Sequence, residues 1–268
     1  PVAVMQTESA VMRCVQGVLA ELKSEGVLYA ELRFAPGQHC RQGLSQENVV
    51  AAACRALAEG CRTLGIQAQL ILCCMRGAPD AQNAETLRLA REYLDKGVCA
   101  ADLAGAEALF PTRSYAPLFA AVPGLPFTIH AGEADGPESI RAALAMGAKR
   151  IGHGVRCIED AALVAELAQK GIPLEVCPTS NLQTCTFADW AHHPLKTLLK
   201  AGVKVTVNSD NRTVSGTTAQ KEMALAAQHL GLSAAQQARL WLNAADAAFL
   251  PEAQKQALRA AVQARLAG

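Results

Sequence analysis

Several features are missing from this 268-residue chain, and each absence closes off a class of function. An excess of charge of one sign is missing. Lys and Arg number 25 against 24 Asp and Glu, a formal net charge of +1, so neither a nucleic-acid partner nor a membrane-surface partner is expected. No apolar run approaches the ~20 residues a membrane-spanning helix needs. The opening Pro1-Val2-Ala3-Val4-Met5 has neither the basic stretch nor the apolar core of a secretory leader, so a cytoplasmic location is expected. Ten cysteines occur without a single C-x-x-C pair, which argues against a thiolate zinc site and against a dense disulfide framework. They are expected to pack as reduced, small core residues. No linker rich in glycine, proline or serine interrupts the chain, so residues 1–268 are expected to form one domain.

What is present is an alternation of helices and strands. Half the residues are hydrophobic (51%) and only 18% are charged, enough to fill a large core. Thr7, Ser45 and Asp80 stand where helices can be capped, and Ser233 with Gln236 makes a capping box. Gly136-Pro137 and Pro194 mark further helix starts. Strands are predicted over 27–34, 68–75, 98–103, 127–129, 150–154, 173–177 and 203–207, each followed by a helix. That order predicts an α/β fold with parallel strands and right-handed crossovers, a TIM-type (β/α)8 barrel. Such a barrel has eight strands, whereas seven are read here and the chain opens in a helix. The expectation is that the chain covers strands 2 to 8 plus C-terminal helices, with the first strand upstream of Pro1.

The strand ends carry the chemistry. Phe127-Thr128-Ile129 runs into His130-Ala131-Gly132-Glu133, which puts an imidazole and a carboxyl group three residues apart where a strand yields to a loop. Other predicted strand ends hold Glu31 and Arg33, Arg76, Asp102, His153, Thr179 with Ser180 and Asn181, and Asp210 with Asn211. In a barrel these ends meet at one mouth, and such residues read as catalytic. Imidazole with carboxylate suits zinc or a similar divalent ion, and His130 and Asp210 are the best ligand candidates. Structural readings compete at several positions. Glu31 and Arg33 can form an ion pair, and Ser180 and Asn181 can serve turn hydrogen bonding or the pocket. Cys177 can be core packing or a reactive thiol. His39, His192, His193 and His229 are read as loop or surface residues.

Six segments in order then match a known family: YAELRFAP at 29–36, DLAG at 102–105, HAGE at 130–133, RIGHGV at 150–155, CPTSN at 177–181 and NSDN at 208–211. With them the chain resembles the adenosine deaminases of the metal-dependent amidohydrolase superfamily, zinc enzymes on a (β/α)8 barrel. The resemblance implies one Zn2+ held by His130 and Asp210, with two further histidine ligands expected from a preceding segment. It implies that Glu133 protonates purine N1, that His153 orients and stabilises the attacking hydroxide, and that Asp210 also handles the water's proton. It places Gly105 at the N3 side of the purine and Asn211 at N7. The chemistry agrees, because an aromatic purine resists attack at C6 until N1 is protonated, so the acid must hold its proton near neutral pH.

Three departures stand out. The His-x-His pair of the family's first strand is absent; the only adjacent histidines are His192-His193, before a predicted surface helix. Asn211 stands where many relatives have aspartate, a mild change, since an amide donates directly to the N7 acceptor. Ala106 replaces an acidic residue common after the DLAG glycine. The expected activity is hydrolysis of adenosine and 2′-deoxyadenosine to inosine and ammonia, on a small-molecule purine nucleoside. Adenine or another 6-aminopurine remains open as substrate, as does a purine-nucleoside binder without turnover.

Overall fold

The computed structural model describes residues 2–267. Contacts gather the chain into two compact units, one running to Gly105 and including Tyr115–Phe127, the other made of Ala106–Ser114 and the chain from Thr128 onward.

In the first unit α1 (Glu8–Ser24), β1 (Tyr29–Phe34), α2 (Gln46–Leu64), β2 (Gln67–Met75), α3 (Asp80–Glu92), β3 (Val98–Ala104) and α4 (Ala116–Ala120) follow in order. The strands form a parallel sheet in the order β1-β2-β3. Local chemistry sets the helix ends as expected: the Thr7 hydroxyl accepts from Ala10 N–H, and Ser45 with Asn48 closes a full capping box. Asp80, predicted as a cap, is instead the first residue of its helix, and Pro79 occupies the N-cap. The face of α2 bearing Val49, Val50, Ala53 and Leu57 is buried, and Gly60 lies where a Cβ would run into Leu19 of α1.

The second unit contains β4 (Thr128–Ala131), α5 (Pro137–Met146), β5 (Arg150–His153), α6 (Ala161–Lys170), β6 (Pro173–Val176), α7 (Pro178–Gln183), α8 (Leu195–Lys200) and β7 (Lys204–Val207). Four helices close it: α9 (Arg212–Ser215), α10 (Ala219–Leu230), α11 (Ala234–Ala247) and α12 (Glu252–Ala267). Its sheet is parallel in the order β4-β5-β6-β7. The α/β class and all seven predicted strands are therefore present among the described residues.

Register explains the division of labour in this sheet. Ile129, Ile151, Leu174 and Val205 are mutually paired across the four strands, and all are fully buried. One residue further along, His130, Gly152, Glu175 and Thr206 form the next row. Because side chains alternate faces along a strand, the second row lies on the face opposite the aliphatic one. One face of the sheet is therefore aliphatic and the other carries polar groups. The polar face is tied together by Arg150 Nε to Glu175 Oε1 at 2.6 Å, both side chains buried. The same guanidinium donates to Ala247 O at 2.9 Å and lies over the Phe249 ring at 3.9 Å, which fastens the end of α11. The CPTSN segment, expected as the end of the strand over 173–177, is mostly helical: Pro178 opens α7 and Cys177 is its N-cap. All ten cysteines are free thiols, and no described helix is long and apolar enough to cross a membrane.

Candidate active site

Four of the six residues singled out from the sequence meet at the end of the second unit's sheet. His130 ends in a ring whose centroid is 5.2 Å from that of His153. His153 Nε2 lies 3.5 Å from Glu133 Oε2 and 4.0 Å from Asp210 Oδ2. His153 is nearly inaccessible at 2% exposure, whereas Glu133 and Asp210 keep partial access to solvent. An acid, two imidazoles and a carboxylate thus converge although they span 80 positions of sequence. Asn211 is adjacent, with its side-chain oxygen capping α9 through Val214 N–H at 3.1 Å. Gly105, in the other unit, directly follows β3 at φ 106°, a conformation open to glycine, and a Cβ there would come within 3.3 Å of the Arg76 nitrogen.

The backbone supports this cluster at some cost. Among the described residues, His153 (φ 57°) and Asp210 (φ 51°) are two of four non-glycine residues in the left-handed region. Each such residue costs on the order of 1–2 kcal/mol, and such outliers gather where function over-determines the chain. Gly152, paired with His130, has no side chain because a Cβ would lie 3.1 Å from His130 Cα and 3.2 Å from its ring.

A buried hydrogen-bond chain fixes how His153 presents itself. Leu195 N–H donates to His193 Nδ1 (3.3 Å), so that nitrogen is an acceptor. Burial pushes the His193 pKa down to about 4, so the neutral ring carries its proton on Nε2. Nε2–H then donates to Asn181 Oδ1 (3.4 Å), which orients the amide so that Nδ2 donates to His153 Nδ1 (3.1 Å). His153 therefore holds its proton on Nε2, toward Glu133 and Asp210. Of the histidines read as loop or surface residues, His193 lies in a loop yet is only 4% exposed, and His39 is buried as well. Asn181 is fully buried because α7 turns it inward. The start of α7 is held by Glu222, which accepts from Thr179 N–H (3.0 Å) and from the Thr217 hydroxyl (2.6 Å).

Other expectations resolve as follows. Arg33 Nη1 sits 3.4 Å from fully buried Asp102 Oδ2, while Glu31 accepts from the Tyr29 hydroxyl at 2.9 Å. Donor atoms of His153, Cys177 and Asp210 lie within 4.8 Å of one another, a spacing a divalent ion can bridge. Cys177, however, is a buried thiol donating to Glu175 O at 3.4 Å, which matches packing better than ligation. Imidazole with carboxylate is a donor set that fits a zinc-type ion. Glu133 also lines an open pocket of about 530 Å³ with Ala134, Arg156, Glu159, Thr184, Cys185 and Thr186, and accepts a hydrogen bond from the Thr184 hydroxyl at 3.3 Å. Glu107, whose carboxylate grips the 132–135 loop, gave no signal in the sequence: it is a lone acid in an irregular stretch 25 residues before Gly132.

A family model described as adenosine deaminase matches residues 1–265. An adenosine deaminase from Haemophilus ducreyi is 47% identical, the match covering 99% of this chain and 79% of that protein. One from Lacticaseibacillus paracasei is 38% identical over 95% of this chain and 76% of its own length. Among solved structures, an adenine deaminase from Arthrobacter aurescens superposes with a TM-score of 0.90 at 29% identity, covering 98% of this chain and 81% of that one. An amidohydrolase from Burkholderia ambifaria with bound Zn gives a TM-score of 0.92 at 22% identity, covering 98% and 74%; it shows the fold alone. The expected fold class, α/β of the TIM-barrel type, is the one these structures share.

Proposed function

The chain belongs to the adenosine deaminase family and is a hydrolytic deaminase; from that premise we propose that it converts adenosine and 2′-deoxyadenosine to inosine and ammonia. The observation that carries the reading is the convergence of the Glu133 carboxyl, His153 Nε2 and the Asp210 carboxylate within 4.0 Å contacts. His130 and Asp210 would hold a zinc ion, which when bound lowers the pKa of water to about 7. Glu133 delivers a proton to purine N1, which withdraws electron density from C6 and opens it to attack. His153 donates from Nε2 to the oxygen nucleophile and steadies the charge that develops during addition. It can donate there because Asn181 already occupies Nδ1. Asp210 accepts the water's proton and passes it on to the departing amine. Asn211, with its oxygen bound to Val214 N–H, keeps its NH2 for N7 of the purine. The remaining hydroxyl proton returns to Glu133 as the C6 carbonyl forms, and the products are inosine and ammonia.

Two neighbouring structures are named an adenine deaminase and an N6-mAMP deaminase, the latter at 29% identity with a TM-score of 0.85. A phosphorylated substrate is disfavoured by the pocket beside Glu133. Its one guanidinium, Arg156, already donates from Nε and Nη2 to Glu159 (2.7 and 3.2 Å) and from Nη1 to Ala134 O. The test is ammonia release from adenosine, adenine and N6-methyl-AMP at equal concentration, with metal analysis of the same sample. Adenosine is expected to give the highest kcat/KM. A preference for either competitor would overturn the substrate, and no ammonia from any would overturn the activity.

A further inference from the structure

The acid that the proposed chemistry requires sits on a loop, not on the sheet. β4 ends at Ala131, so the N–H groups of Gly132, Glu133, Ala134 and Asp135 need partners beyond the strand ladder. All four go to one side chain. Glu107 Oε1 accepts from Gly132 N–H (2.7 Å), while Oε2 accepts from Glu133 (3.1 Å), Ala134 (2.9 Å) and Asp135 (3.1 Å). A fifth donor, the Ser139 hydroxyl of α5, reaches Oε1 at 2.5 Å and is itself paired with Thr112 at 2.6 Å. Glu107 is 3% exposed. Successive amides in a left-handed turn, here with Gly132 at φ 73°, make a concave anion site, and the chain's own carboxylate fills it.

We propose that Glu107 is a positioning residue for catalysis: by occupying the 132–135 amide nest it fixes the backbone from which Glu133 projects, and so sets the proton donor against the ring nitrogen. The inference rests on the reading of Glu133 as the acid. Four of these five partners are backbone N–H groups, which can only donate, so both oxygens must act as acceptors and a neutral isostere cannot satisfy them all. In Glu107→Gln an NH2 faces either the Gly132 N–H or the three amides of 133–135, and the loop must open to relieve the clash. An acid displaced by about 1 Å loses on the order of 10²-fold in rate. Purine binding by the rest of the pocket is untouched, so the loss falls on kcat more than on KM.

Amide exchange read residue by residue tests the clamp without reference to turnover. In Glu107→Gln the amides of 132–135 are expected to exchange at least ~10-fold faster, while those of β5 and β6 keep their protection. With adenosine, kcat is expected to fall ~100-fold with KM within about threefold, and adding Glu133→Gln to that variant is expected to cost little more than Glu133→Gln alone. Unchanged exchange at 132–135, or a kcat loss that persists undiminished in the Glu133→Gln background, overturns the proposal. If Glu107→Gln does not fold, Glu107→Asp, which keeps the charge one methylene short, is expected to be intermediate in exchange and in kcat; wild-type behaviour in both overturns it equally. Absence of deamination by the wild-type protein strikes the functional reading, and the exchange data alone then decide the clamp.

Discussion

Gly152→Ala adds one methyl group against the proposed metal ligand, and the structure sets its consequence. The new Cβ would stand 3.1 Å from His130 Cα and 3.2 Å from both Cγ and Nδ1 of its ring. Carbon atoms sit best at about 3.5–4.0 Å, so a gap of roughly 0.3–0.9 Å has to open. The backbones cannot supply it cheaply, because Ile129, His130 and Ala131 are paired in register with Ile151, Gly152 and His153. The ring therefore tilts, and overpacking of this kind costs about 1–3 kcal/mol of stability. Ligand distances tolerate only about ±0.2 Å, and losing a ligand's supporting contact typically weakens metal affinity ~10–100-fold. Chelator competition would measure that affinity, thermal unfolding the stability, and single-turnover kinetics at saturating zinc the rate. A variant that binds zinc as tightly as wild type and turns over within twofold of it would show that the close approach of Gly152 does not set the His130 ring, and the argument would fail.

Three further outcomes follow from other parts of the structure. Glu133→Gln keeps the shape but cannot protonate N1, so it should retain zinc and lose about 10²–10⁴-fold in kcat, and near-normal turnover would remove Glu133 as the acid. Glu175→Ala leaves the Arg150 guanidinium buried without its carboxylate. It should cost about 3–5 kcal/mol in urea unfolding, while Arg150→Met with Glu175→Leu should recover most of that; a loss under 1 kcal/mol from the single change would contradict the assignment. His193 titrates near 6.5 when unfolded but about 4 when folded, so the unfolded chain binds the extra proton as pH falls between those values. At about 1.36 kcal/mol per pH unit of separation, roughly 3 kcal/mol of stability is present above pH ~6.5 and is lost as pH drops toward 4. Urea midpoints at pH 7.5 and 5 should show this, and His193→Gln should flatten the difference.

The elements were legible in the sequence because their determinants are local. Each of the short runs beginning Thr-Ile-His, Arg-Ile-Gly, Pro-Leu-Glu and Lys-Val-Thr is soon stopped by glycine, proline or asparagine, so strands and their polar ends could be read one at a time. Ser45 and Ser233 capped helices for the same reason, since each needs only a partner three residues on. The HAGE and NSDN segments likewise marked His130, Glu133 and Asp210. What holds those groups in place lay outside any local window. Nothing near Asn181 announces that it bridges His153 and His193, nothing near His193 says that it is buried, and Glu107 shows its purpose only beside the 132–135 amides. A hydrogen bond between residues 25 or 28 positions apart leaves no periodicity and no spacing rule. Its partners are chosen by how strands and loops pack, and so the identity of the proposed reacting groups was legible in the chain, whereas their orientation was decided by the tertiary structure.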